Sequence, residues 1–236
     1  MTTTRIFRRS ALAALATLLI PSLLATTTNV QAAELPPDIG GIWQLTNYTT
    51  GVRTVDGQLP PLTGEGKAAY AANLAARKQM KPREDMSRCV PSGTPRAMFA
   101  PNPLMILQTA RKITLVQEYQ HQLRHIYMDE PVPDPDVIEL SFTGESVGHW
   151  EGDTLVIDTI GLHRDTVLDR EGMPHTTDMS IKERLRLIEG GKQLEAVMTF
   201  TDPAYYSAPW TTRIVFDSKP GVELNEYNCL GRYEDL

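Results

Sequence analysis

From Met105 to the C-terminus the chain changes direction every few residues, and this constrains its fold more than any other feature. β-branched and aromatic residues recur in short alternating runs within MILQTARKITLVQEYQHQLRHIYMDE, VIELSFTGESVGHWEGDTLVIDTIGL and DMSIKERLRLIEGGKQLEAVMTFTDP. TTRIVFDS and VELNEYNCLG supply the last two strands. Glu151-Gly152-Asp153, between Trp150 and Leu155, is a hairpin turn, and Glu189-Gly190-Gly191 is a second. Pro131, Pro133 and Pro135 break the chain between the first two runs, and GGIWQLTNYTTG adds an early strand with Trp43 as a core anchor. One segment reads as helix. Thr63 is its N-cap, helix formers run from Glu65 to Lys81, and Pro82 stops them. Its apolar side (Ala68, Ala72, Leu74, Ala75) is thin, so it is expected to lie across the outside of a larger body. No β-α-β alternation occurs. The expected fold is mainly β: eight to ten antiparallel strands in a barrel-like, lipocalin-type sheet, preferred over a sandwich, with one N-terminal helix.

Arg5, Arg8 and Arg9 precede the apolar run ALAALATLLIPSLLA, and small residues follow at Val30-Gln31-Ala32. This is the layout of a secretory signal peptide, and it makes residues 1–33 a cleaved leader and 34–236 a single domain. Arg8-Arg9 also resembles a twin-arginine signal, so Sec and twin-arginine export both stay open. The expected location is periplasmic or secreted, without membrane insertion after cleavage. Removing three arginines and no acid changes the charge from −6 to −9. That balance argues against nucleic acid and anionic membranes as partners. Cys89 and Cys229 are the two cysteines, and in an oxidising compartment they are expected to pair. The alternative is two separate buried thiols. A disulfide closing so long a loop would restrict the unfolded chain by about 4–5 kcal/mol.

Gly144-Glu145-Ser146-Val147-Gly148 spells G-x-S-x-G, the pattern of a nucleophile elbow. An elbow needs a helix after the serine, whereas HWEGDTL here is a tight β-turn. The better reading is that Gly144 and Gly148 allow a bend at the start of the hairpin. In SIKERLRLI, Ile181, Glu183, Leu185 and Leu187 share a face, and Ser180, Lys182, Arg184 and Arg186 share the other. Glu183 is therefore an acid among apolar neighbours, either half of an ion pair or a poised acid/base. Asp158 shares a face with Val156 and Ile160, but Leu155 and Ile157 lie opposite, so its side is not decided. Arg124 is a natural bidentate partner for Glu118, across a turn at 119–122, or for Glu183. His175, in the loop EGMPHTTD, is either a general base or a solvent histidine. Tyr205, Tyr206 and Trp210 in DPAYYSAPW either cover a pocket or pack beneath a loop, and Trp150 joins them as a candidate ligand contact. His149, His163, Asp165 and His175 are a weaker metal-site alternative.

Five separated blocks occur in one order: CVPSGTPR (89–96), GESVGHWEGDTLVIDT (144–159), PHTTDMSIKER (174–184), DPAYYSAPW (202–210) and EYNC (226–229). Together they resemble a large uncharacterised family of exported bacterial proteins built around a GDSxGxWEGDTLVVDT signature. The resemblance runs from about residue 38 to 232 and implies a secreted, mostly β single domain. It implies no particular reaction. This chain has Glu145 where an Asp is usual and His163 where an aromatic is usual.

The residues lead to an exported barrel that binds a small, partly apolar organic molecule without a cofactor. As a lyase, hydratase or isomerase, it would use Glu183 and His175 to move protons, with Asp158 and Arg124 orienting substrate and Glu118, Tyr206, Trp210 and Trp150 in the binding site. As a carrier, it would keep the same barrel, and its inner charges would serve only folding and ligand polarity. A fully paired Glu183–Arg lock distinguishes the carrier from the enzyme.

Overall fold

The computed structural model describes residues 1–2, 35–79 and 90–227. Residues from Pro36 onward form one compact unit. The expected leader and both Cys89 and Cys229 lie outside the described residues, as does the expected helix end at Lys81.

Nine strands close into a barrel in sequence order: β1 (Gly41–Leu45), β2 (Leu104–Gln108), β3 (Lys112–Gln117), β4 (Gln122–Met128), β5 (Glu145–Glu151), β6 (Thr154–Ile160), β7 (Ser180–Ile188), β8 (Gln193–Thr201) and β9 (Trp210–Ser218). β9 pairs with β1 to seal the ring. The barrel is mainly β, as expected, but it is not an eight-stranded up-and-down barrel of the lipocalin kind. Direction cannot alternate all the way around an odd ring, so one pair must be parallel. That pair is β4–β5, with Ile126 opposite Ser146. A parallel pair requires the chain to return along the barrel between the two strands. Residues 129–144, with their three prolines, make this return. Gly144 turns the chain into β5 at φ +68°, where a Cβ would lie 2.6 Å from the Ile160 carbonyl oxygen. Gly148 has ordinary backbone geometry. It is small because a Cβ there would meet Ile126 at 2.8 Å across the parallel pair.

Alternation within each strand fills the barrel. Ile113 and Leu115 of β3, Leu155 and Ile157 of β6, Ile181 and Leu185 of β7, and Leu194, Met198 and Phe200 of β8 are all buried. Trp43 is buried as expected, its Nε1 donating to the Ile39 carbonyl at 2.9 Å.

The two ends of the barrel differ. Tight turns join β2–β3, β5–β6 and β7–β8 at one end. The other end carries the long connections 46–103, 161–179 and 202–209, with the short β3–β4 turn among them. The one α-helix among the described residues, α1 (Gly64–Lys78), belongs to this loop end. Thr63 caps it, accepting from the Gly66 amide at 3.1 Å. The same threonine hydroxyl donates to the Ala204 carbonyl at 2.8 Å, tying the helix to loop 202–209. Gly66 is pressed so closely on that loop that a Cβ would sit 2.2 Å from the Tyr205 carbonyl oxygen. Carboxylates staple the surrounding loops. Glu171 accepts from Thr50, Arg53 and the Tyr70 hydroxyl. Burial, and then the bond to Glu171, push the Tyr70 pKa up to about 12. Asp202 accepts from the amide and hydroxyl of Thr176.

Candidate functional site

The loop end and the top of the barrel interior hold two arginine-centred arrangements. The first is inside the barrel. Arg124 on β4 projects inward and meets Glu183 on β7 in a bidentate pair, with Nη1 donating to Oε1 at 3.2 Å and Nη2 to Oε2. Nη2 also donates to Thr159 Oγ1 at 2.7 Å, and Nε donates to Ser146 Oγ at 3.0 Å. The two hydroxyls lie 3.0 Å apart. Glu183 is 0% exposed and Arg124 4%. Both oxygens of Glu183 are thus committed to one guanidinium, and this is a lock, not a poised acid. Of the sequence expectations, the structure realises the ion-pair alternative and the choice of Glu183 over Glu118 as partner.

Ser146 lies within β5 and is buried, and β5 turns directly into β6. The strand–turn–helix of a nucleophile elbow is therefore absent at Ser146. Its hydroxyl instead belongs to the arginine lock.

Several other expected site residues lie elsewhere. Asp158 faces outward and pairs with Lys182 across β6–β7 at 2.8 Å, on the opposite face from Glu183. Glu118 caps the loop end, accepting from Asn102 at 3.3 Å and from the Asn225 amide at 2.9 Å. Burial opposes its charge, but the bonds from Asn225 and Asn102 outweigh this and hold its pKa below the usual range. Trp150 points inward among β5–β6 residues toward the tight-turn end, where it is half-buried against the core. Tyr206 and Trp210 are core residues. Trp210 stacks on Phe200 at 4.3 Å, and the Tyr206 hydroxyl donates to the Pro174 carbonyl at 2.6 Å. Aromatic packing beneath the loop, not a ligand lid, describes them.

His175 is also buried, and not with Glu183. It lies in a small cleft of about 70 Å³ between α1 and loop 161–179, where Nε2 is 2.6 Å from Thr166 Oγ1 and Nδ1 is 2.7 Å from the Thr176 carbonyl oxygen. A carbonyl only accepts, so Nδ1 carries a proton. The acid/base partnership expected between Glu183 and His175 is not assembled. Among the described residues, no group of three or more His, Cys, Asp or Glu side chains is gathered to hold a metal ion.

The second arrangement went unnoticed in the sequence. A cavity of about 220 Å³ opens among the loops, walled by Arg96, Phe99 and Asn102 from the segment before β2, Tyr119 from the β3–β4 turn and Arg170 from loop 161–179. Arg96 is 7% exposed, whereas Arg170 reaches solvent. Among the described residues that line the cavity are two arginines. Burial, together with the Arg170 charge, lowers the Arg96 pKa against the opposing pull of Tyr119 and Asp169. Arg77 on α1 is lowered by burial and then by the Arg96 charge. One segment separates the two arrangements. Met98 Sδ lies 3.6 Å from Arg124 Nη1, while Arg96 and Phe99 face the cavity. A sequence signal for this site existed, since no acidic residue occurs from Met86 to Gln117 in an otherwise acidic chain.

Neither protein-family models nor curated proteins give a match to this chain.

Proposed function

We propose that this is an exported small-molecule-binding barrel, with the loop-end cavity as its ligand site and the barrel interior as its support. The observation that carries this reading is the fully satisfied Arg124–Glu183 lock. It takes the one inward-facing acid of β7 out of proton-transfer chemistry and favours binding over acid/base catalysis. Large side chains fill the interior, so ligand space is found where the loops meet. Export is supported by the basic, apolar and small-residue pattern of residues 1–33. Likeness to the exported GDSxGxWEGDTLVVDT proteins supports it as well.

Native mass spectrometry of the full chain expressed and exported by a bacterial host tests the reading. The wild type is expected to carry an organic mass that is lost when Ala100, in the cavity wall, is replaced by Trp. A bare wild type, or an Ala100→Trp variant that keeps the same mass, would overturn it.

A further inference from the structure

We propose that this chain forms a two-fold symmetric dimer in which the return segment 129–144 of each copy lies against the outer face of β1–β4 of the other. On that face, register aligns Ile42, Met105, Val116 and Leu123 in one row across the four strands, each alternating with buried neighbours that point inward. Leu123 is 53% exposed, Leu107 50% and Tyr127 42%. The core of a closed barrel lies inside it, so an apolar row on the outside marks a contact surface. β1–β4 also contain no Asp or Glu, although the chain as a whole is acidic. Lys112, directly opposite Tyr127, and Arg111 beside it in the turn give the face a basic rim.

The other side of the barrel is built differently. There the outward charges are matched across neighbouring strands: Lys182 meets Asp158 at 2.8 Å, Arg184 meets Glu151 at 2.8 Å, and Glu195 meets Arg186 and Arg213. Among the described residues, no ion pair uses Arg111 or Lys112.

The return segment has the complementary character. DEPVPDPDVIELSFTG carries five acids and no Lys or Arg, and Val132, Val137 and Leu140 stand exposed on it. It is also held in shape. The Asp129 amide donates to the Gly148 carbonyl at 2.7 Å, the Ser141 amide donates to the Gly161 carbonyl at 3.0 Å, and Phe142 stacks on His163 at 4.9 Å. Docking such a segment costs little ordering entropy. Its apolar and acidic groups match an apolar face with a basic rim, and they would be repelled by an anionic bilayer.

Position and size select the symmetry. The segment is pinned to β5 and to the end of β6, which follow β4 in the ring, so segment and face lie side by side. A two-fold axis running along the strands between them sets each over its complement in the other copy, a contact that closes at two. Four strands about 4.8 Å apart, with five residues of about 3.4 Å each, give the face a footprint of roughly 300 Å². That is below the roughly 600 Å² per partner of the smaller stable interfaces. Face and segment together reach about this size, and the expected dissociation constant is in the micromolar range.

Sedimentation velocity of the full exported protein over a concentration series tests this. The wild type is expected to pass from monomer to dimer, and less readily as salt rises. Two variants change only exposed side chains: Arg111→Glu with Lys112→Glu on the face, and Asp136→Lys with Glu139→Lys on the segment. Each alone should dimerise about tenfold or more weakly, because both of its contacts set like charges together. Mixed, they should recover the dimer, since each reversed face then meets a reversed segment and each native face a native one. Leu123→Glu should dimerise weakly and find no such rescue; thermal unfolding of dilute samples checks that every variant is folded. A wild type that stays monomeric, variants that dimerise like the wild type, or a mixture that stays monomeric would overturn the proposal. Species that grow beyond two copies would overturn the two-fold closure. A monomer that sediments with anionic phospholipid vesicles would overturn it in favour of a lipid-facing surface.

Discussion

Arg124 and Arg96 are both more than nine-tenths buried, yet they sit in different parts of the fold. Arg124 sits on a strand inside a closed ring, where the register delivers Glu183, Thr159 and Ser146 to its nitrogens. Arg96 opens a short 3-10 helix (Arg96–Phe99) at the loop end and lines a cavity together with Arg170. A buried charge that is paired and hydrogen-bonded on every side is structural. Arg96 instead borders a cavity that Arg170 also lines.

The largest expected effect would break the structural half of the contrast. Replacing Glu183 by Gln leaves a buried guanidinium without its counter-charge and should cost about 3–5 kcal/mol in urea unfolding. Changing both partners together, Arg124→Met with Glu183→Leu, should recover most of that loss, because an apolar pair of similar volume is often no worse than a buried ion pair. A single-variant loss below about 1 kcal/mol would mean that the lock does not hold the barrel.

Gly66→Ala comes next and tests how rigidly the loop end is held. Its methyl group would strike the Tyr205 backbone oxygen, and the expected loss is about 1–3 kcal/mol. A neutral result would show that α1 moves freely on loop 202–209.

The surface offers a third, smaller test. Glu195 on β8 accepts from Arg186 of β7 and Arg213 of β9, both at 2.6 Å, on the outer face of the barrel. Burial opposes its charge, but the two arginines outweigh this and hold its pKa below the usual carboxylate range. As pH falls, the unfolded chain then takes up this proton before the folded one does. The stability contributed by the triplet is full above the ordinary carboxylate range and is lost as pH drops through the folded-state value. Glu195→Gln should flatten that part of the acid limb in a pH series of thermal unfolding, and an unchanged limb would remove the triplet from the account. The smallest effect sharpens the other half of the contrast. Arg170→Gln should change stability by less than about 0.5 kcal/mol, since an exposed side chain away from core and caps contributes little. A larger loss would make Arg170 a structural residue like Arg124.

Much of the barrel was legible. Alternation in SIKERLRLI put Glu183 with Ile181 and Leu185, and all three point inward. Both Gly-centred turns and the Thr63 cap stand where the residues put them. Alternation states which residues share a face but not which face is inner. For β7 one face is apolar and the answer is plain. For β6 both faces carry apolar residues, and Val156 is buried on the outward side, so Asp158 could be placed only by the register with Lys182. Tyr206 and Trp210 were ambiguous for a related reason, because an aromatic cluster in a loop reads the same whether it covers a ligand or a core.

The sequence by itself determined the β character, the turns, the capped helix and the inward acid, because each depends on residues near one another in the chain. Only the tertiary structure decided that the ring holds nine strands and must contain a parallel pair, since closure is a property of all strands together. It also decided what surrounds each arginine. Arg124 meets Glu183, 59 residues away, because they project into the same interior, while Arg96 and Arg170 meet across a cavity that exists only where separate loops converge.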